Sequence, residues 1–148
     1  MFRGSSFHTI DPKGRIIIPT RFRDVLKAGG DERVMITCMD DCLFAYTLDE
    51  WSKLEQKILH LPQKSESMRR FQRIFIGGAH DCKCDGQGRV LIPPFLKKYA
   101  GLEKEIVLVG VLDRFEIWSQ DNWDRENGQM AKDMGDDQVR QEIAQLGL

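Results

Sequence analysis

The chain has 148 residues, 41% of them hydrophobic and 30% charged, with a formal net charge of −1. That length supports one or two small domains with a real core, and the composition leaves no room for extensive disorder. No apolar run approaches the roughly 20 residues that span a bilayer. Met1-Phe2-Arg3-Gly4-Ser5-Ser6 lacks the apolar core of a signal peptide, so the chain is expected in the cytosol. The near-zero charge hides an asymmetry. Residues 1–30 carry six basic side chains against two acidic ones, and residues 113–148 carry nine acidic against four basic. A polyanion responds to the field of one face, so the basic N-terminal end is the candidate contact surface.

In chain order, Asp11-Pro12-Lys13-Gly14 reads as the turn of a β-hairpin, with Asp bonding the turn backbone and Gly accepting a left-handed conformation. The β-branched run Arg15–Ile18 predicts a strand, and Pro19 suits the first turn of a helix. Phe22, Val25 and Leu26 recur at helical spacing up to Gly29-Gly30. A second hairpin is expected from Val34–Met39 and Leu43–Thr47 around Asp40-Asp41. Next, Trp51, Leu54, Ile58 and Leu61 trace one helical stripe, with Thr47 and Glu50 placed for a capping box. After the Leu61-Pro62 interruption, Met68, Phe71, Ile74 and Phe75 trace another stripe, ending at Gly77-Gly78. Ile106–Val111 and Phe115–Trp118 around Asp113-Arg114 predict a further hairpin, and the acidic segment after Trp123 a helix with a frayed end.

The main organisational fact is a repeat. Asp11-Pro12-Lys13-Gly14-Arg15-Ile16-Ile17-Ile18-Pro19 recurs as Asp85-Gly86-Gln87-Gly88-Arg89-Val90-Leu91-Ile92-Pro93. Residues 21–26 then match 95–100, and Tyr46–Trp51 matches Trp118–Trp123 after a two-residue loop difference. The expected organisation is a first unit at 5–51, a helical connection at 52–79, a second unit at 80–123 and an acidic tail at 124–148. A unit of some 45 residues exposes too much apolar surface to stand alone, so the copies should pair.

The two Asp-x-x-x-Arg turns, each followed by Pro and a short helix, resemble the swapped-hairpin barrel family of AbrB and SpoVT. Two units in one chain, the opening Met1-Phe2-Arg3-Gly4 and the Arg69-Arg70-Phe71-Gln72-Arg73 helix narrow the likeness to two-unit bacterial regulators of the division and cell wall gene cluster. The resemblance runs from Met1 to about Trp123. It implies a mainly β, α+β fold in which two pseudo-symmetric halves form one duplicated swapped-hairpin barrel. It also implies a ring-like homo-oligomer, recognition of short repeated G-rich promoter elements in double-stranded DNA, a nucleoid location and no cofactor. The second copy departs from the first at Gln87 for Lys13, Pro94 for Thr20 and Phe95 for Arg21. DNA binding therefore carries over to copy one, while for Arg89 contact and bracing both stay open.

The candidate DNA-binding residues are Lys13 and Arg15 at the first turn, Arg21 and Arg23 in the helix beside it, and Arg3. A β-ribbon fits the major groove, where an arginine fork matches guanine O6 and N7. Spacing alone gives equal weight to Arg15 and Arg89 simply bracing their turns through Asp11 and Asp85. Arg3 could equally lie along the sheet edge. Arg69, Arg70 and Arg73 form a basic helical face assigned to solvent or a subunit contact. His80, Cys82 and Cys84, with Cys38 or Cys42, lack the paired Cys-x-x-Cys knuckles of a structural zinc, and thiols with no metal are expected. No nucleophile elbow, P-loop or dinucleotide fingerprint is present, and His8, His60 and His80 are scattered, so no catalytic residue, small-molecule substrate or membrane partner is expected. The rival readings are an antitoxin-like partner protein and a structural oligomer whose arginines only brace turns.

Overall fold

A computed structural model describes residues 1–148 as eight strands and six helices. The strands are β1 (Phe2–Thr9), β2 (Arg15–Ile17), β3 (Arg33–Met39), β4 (Cys42–Tyr46), β5 (His80–Lys83), β6 (Arg89–Leu91), β7 (Glu105–Leu112) and β8 (Phe115–Ser119). The helices are α1 (Thr20–Ala28), α2 (Leu48–Leu59), α3 (Glu66–Phe75), α4 (Pro94–Tyr99), α5 (Gln120–Asp133) and α6 (Asp137–Ala144). The fold is α+β, mostly sheet with short helices, and no helix is long and apolar enough to cross a membrane.

Six strands form one sheet in the order β1-β7-β8-β4-β3-β5, and β2 pairs with β6 in a separate ribbon. The two expected Asp-x-x-Gly hairpins do not form as such. The turns close, with Gly14 N–H donating to the Asp11 carbonyl and Gly88 N–H to that of Asp85. Yet the strands flanking each turn pair with the other copy: β1 with β7, β5 with β3, and β2 with β6. The chain leaves the sheet at Ile10, so β2 lies over the sheet instead of extending it. Sheet and ribbon are separate and the sheet keeps β1 and β5 as edges, which corrects the expectation of a closed barrel. The second hairpin of each copy forms as expected. Asp40 and Asp41 both have positive φ, the backbone of a two-residue turn that matches strand twist.

The pairing follows the repeat. Ile16 lies opposite Val90, and Phe44 opposite Glu116, so residues at equivalent places in the two copies face one another. Between sheet and ribbon sits the larger core. It takes Val34, Ile36, Leu43, Ile106, Leu108 and Ile117 from the sheet, Ile16, Ile18, Val90 and Ile92 from the ribbon, and Phe22, Leu26 and Leu96 from α1 and α4. Phe2, Phe22 and Phe115 meet there with ring centroids 5.1–5.4 Å apart. The opposite face of the sheet carries a smaller core of Phe44, Tyr46, Val107 and Trp118 under Trp51 and Phe75 of α2 and α3. Neither expected helical stripe is wholly buried. Met68 and Ile74 are exposed, and Leu61 falls beyond α2 and is exposed. The Thr47 side chain caps α2 by accepting from Glu50 N–H, but the Glu50 carboxylate pairs with Lys53, so only half of the capping box forms.

Each turn is braced by its own aspartate. Asp11 accepts from the Lys13 and Arg15 N–H groups at 2.9 Å and from Arg15 Nε at 2.6 Å. Asp85 repeats the arrangement with Gln87 and Arg89. The backbone bond from Arg15 N–H, then its side chain and the Lys13 N–H, hold the Asp11 carboxyl below its ordinary value of 3.8; Arg89 and Gln87 do the same for Asp85. Because both acids are depressed on folding, their stabilisation is complete above the ordinary carboxylate value and fades as pH falls through the lowered folded values. The urea midpoint of an Asp11→Asn/Asp85→Asn protein is therefore expected below that of the wild type at pH 7. The gap should close in titration below pH 3.8; a gap that persists there would remove this account. Gly88 has φ +73° and lies 2.8 Å, at its missing Cβ, from the Arg23 guanidinium, so Gly88→Ala should cost about 1–3 kcal/mol. At Gly86, where nothing lies within 4 Å, alanine should be neutral or stabilising by about 0.5 kcal/mol in the same denaturation assay.

Candidate nucleic-acid interface

The ribbon shows alternate residues to solvent, as a pleated strand must. Ile16 and Val90 point into the core, while Arg15, Ile17, Arg89 and Leu91 lie on the outward face. Arg15 pairs across with Leu91 and Ile17 with Arg89, so the two arginines stand two residues apart along the ribbon, about 7 Å. In each of them Nε bonds an aspartate and the terminal nitrogens make no bond within the chain. The bracing and the free reading are thus compatible in geometry. Nε fixes the side chain, and the two terminal nitrogens, with four N–H donors, are left without a partner in the chain on side chains 30% exposed in Arg15 and 26% in Arg89. Lys13, at the tip of the first turn, is exposed and its side chain has no partner in the chain.

The remaining candidates do not gather at that turn. Arg23 was expected beside it, but its Nε donates to the Ile18 carbonyl at 3.1 Å, its Nη2 to Thr20 Oγ1 at 3.0 Å, and its guanidinium lies against Gly88 of the second turn. The reason is the exchange of strands, which places α1 of copy one beside the turn of copy two. Arg21 turns toward β1, donating to the Ser5 carbonyl at 3.3 Å and lying beside Gly4. Burial first, and then the Arg21 charge, hold the His8 imidazole below its ordinary value. Arg3 is exposed on the edge strand β1. The basic residues are therefore spread over one ribbon, both turns and one sheet edge, with Arg15 and Arg89 equivalent in place.

Sequence reading missed the outward positions of Ile17 and Leu91, both more than half exposed. Three consecutive isoleucines hide the alternation that would have marked Ile17 as outward. It also left Arg89 open because copy two lacks the neighbouring cations. Only the cross-copy position of Arg23 restores one to that turn.

Cys82 and Cys84 face the larger core, whereas His80 is exposed and its ring packs against Phe95 at 5.0 Å. All four cysteines are free and buried. Desolvation pushes the Cys82 thiol up to about 11 and raises Cys42 and Cys84 as well, so these thiols stay protonated and are poor ligands or nucleophiles. Surface hollows lie on α5–α6 and along α2–α3, and another, lined by Phe7, His8, Thr9, Glu105 and Gln120, reaches Ile17 of the ribbon.

Residues 1–74 and 75–142 each match the family model described as "MraZ protein, putative antitoxin-like". The chain is 61% identical to the protein named transcriptional regulator MraZ from Desulforapulum autotrophicum and 53% to its namesake from Desulfosudis oleivorans, over the full length of both chains in each case. A further namesake, from Pelotomaculum thermopropionicum, is 47% identical over all of this chain and 99% of its own. Two matches of one family model fall on the two copies of the repeat, and relatives align from end to end. The chain belongs to the MraZ family.

Proposed function

We propose that this chain is a sequence-specific transcriptional regulator that binds double-stranded DNA through its first ribbon turn. Its targets in this reading are short repeated elements in the promoter of its own division and cell wall gene cluster. The observation that carries it is the divided use of the Arg15 guanidinium, whose Nε is spent on Asp11 while its terminal nitrogens stay free beside exposed Lys13. A fork held in place from behind loses little freedom on meeting a base edge, which favours bidentate recognition of guanine. Lys13, Arg21 and Arg3 then serve phosphates, which set register without reading sequence. Arg23 steadies the second turn, and Arg89 stands as a second reader or as a brace only. The names of the full-length relatives support the regulatory role.

In the same reading the units at 5–51 and 80–123 form a duplicated swapped-hairpin fold joined by the connection at 52–79, with 124–148 as an appended tail. The protein works in the cytoplasm at the nucleoid, without cofactor or catalytic residue. Its subunits form a ring-like homo-oligomer. One turn makes few phosphate contacts and binds weakly, whereas several turns on one particle meeting repeated sites gain about a hundredfold or more through effective concentration.

Two outcomes test this. Arg15→Ala should lower affinity for DNA from upstream of its own gene by roughly tenfold or more, at unchanged particle mass, in gel shifts at two salt concentrations. Lys13→Ala should weaken binding to specific and unrelated DNA alike and reduce the salt slope by about one. Full affinity in Arg15→Ala would remove the assignment. A wild type that ignores DNA at both salts and co-purifies with a host protein would favour the antitoxin-like reading.

A further inference from the structure

Two features of the surface have no use in DNA recognition as described. The first is a groove between α2 and α3. Arg69, Gln72, Arg73 and Ile76 follow one another at helical spacing along one side of α3 and its C-cap, and with Lys64 they line a basic hollow. Gln72 and Ile76 also line the adjoining hollow against Ile58 and the two-thirds exposed Leu59 of α2. The groove thus has an apolar floor, with Lys64, Arg69 and Arg73 on the α3 side against the single acid Glu55 on the α2 side, and Arg69 and Arg73 have no acidic partner, unlike Arg70, which pairs with Glu66.

The second feature is the tail. α5 is anchored at its first turn, where Ser119 caps it, Asn122 donates to the Asp41 and Ala100 carbonyls, and Trp123 packs on Trp118 at 5.7 Å. Beyond Trp123 neither α5 nor α6 contains a buried residue. Helices of 14 and 8 residues are marginal in water unless a face is packed. Residues 120–148 carry seven acidic side chains against three basic, and Met130, Leu146 and Leu148 are exposed.

We infer that the acidic α5–α6 tail of one subunit docks in the basic α2–α3 groove of a second copy of this chain. The signs of charge are opposite, each side offers unburied apolar residues, and neither hollow is lined by a residue of the other within one chain. A tail-to-groove contact joins unlike surfaces, so repeating it closes a ring or runs on as a filament, according to the rotation per subunit. The inference rests on the proposed self-assembly and names the surface that produces it.

The test uses full-length chains, with mass by light scattering and promoter affinity by gel shift on the same samples. One variant carries Arg69→Glu and Arg73→Glu. A second carries Glu126→Lys and Glu142→Lys, which leave the Asp136 cap of α6 in place, and a third carries all four changes. All positions are exposed, and circular dichroism checks that each protein is folded. The first two should fall from the wild-type mass to that of smaller species, and the third should regain it because both signs are exchanged together. Wild-type mass in either of the first two, or no recovery in the third, would overturn the docking while leaving self-assembly intact. A wild type that is a single chain would overturn self-assembly and the docking with it. Loss of DNA affinity at unchanged mass in the first variant would assign the groove to DNA and overturn the inference.

Discussion

Two backbone hydrogen bonds join the copies at their turns: Ile18 N–H donates to the Gly88 carbonyl and Ile92 N–H to the Gly14 carbonyl, each at 2.9 Å. Each bond ties the end of one copy's short strand to the turn of the other. Gly14 and Gly88 both hold positive φ, so the carbonyls reach their donors without a side-chain clash. The remainder of the molecule follows from this reciprocal tie. A three-residue strand cannot persist alone, but β2 and β6 complete each other and cover the large core shared by both halves. Neither copy has a core of its own. Phe2 and Phe22 from copy one meet Phe115 from copy two, so the halves are stable only as one body.

The same tie explains how arginines come to stand on a rigid surface. A guanidinium at the tip of an isolated hairpin would lose much rotamer freedom on binding. Here the turn is fixed by three bonds to one aspartate, and the ribbon behind it is fixed by the core. Only the ends of the side chains are left without partners in the chain. Arg23 adds a contact of a different kind, since its guanidinium, bonded to Ile18 and Thr20 of its own copy, lies against Gly88 at the turn of the other.

The far side of the sheet is organised differently. Its core is aromatic, built on Tyr46, Trp51, Phe71, Phe75, Trp118 and Trp123; the element order repeats through the helices, α2 with α5 and α3 with α6, but of these only α2 and α3 contain buried residues. One buried charge sits there. Glu116 accepts from Arg114 at 2.7 Å and from Trp118 Nε1 at 3.1 Å, while the Arg114 guanidinium lies 3.9 Å over the Phe44 ring. A paired and bonded carboxylate avoids the cost of an isolated one. The molecule therefore divides into a side where the two copies pack alike around the turns and a side where α2 and α3 are packed and their counterparts α5 and α6 are not.

The sequence by itself determined the repeat, the Asp-x-x-Gly turns, the proline starts of α1 and α4, the Asp40-Asp41 turn and the identity of the cations at the first turn. These depend on local backbone preference: Asp11 caps its own turn, Gly14 takes positive φ, and Pro19 presets a helical start whatever surrounds them. Only the tertiary structure decided which strands pair. Local preference lets the strands beside each turn pair with either copy, and the exchange is decided by the core between sheet and ribbon, which both halves complete together. That is why two expected hairpins became cross-copy pairs, why Arg23 lies at the second turn, and why Ile17 faces out from a run of isoleucines. Met68 and Ile74 were misjudged for a related reason. A helical period shows that a face could be buried, but the available sheet surface decides how wide that face is, and α3 rests on it mainly through Phe71 and Phe75.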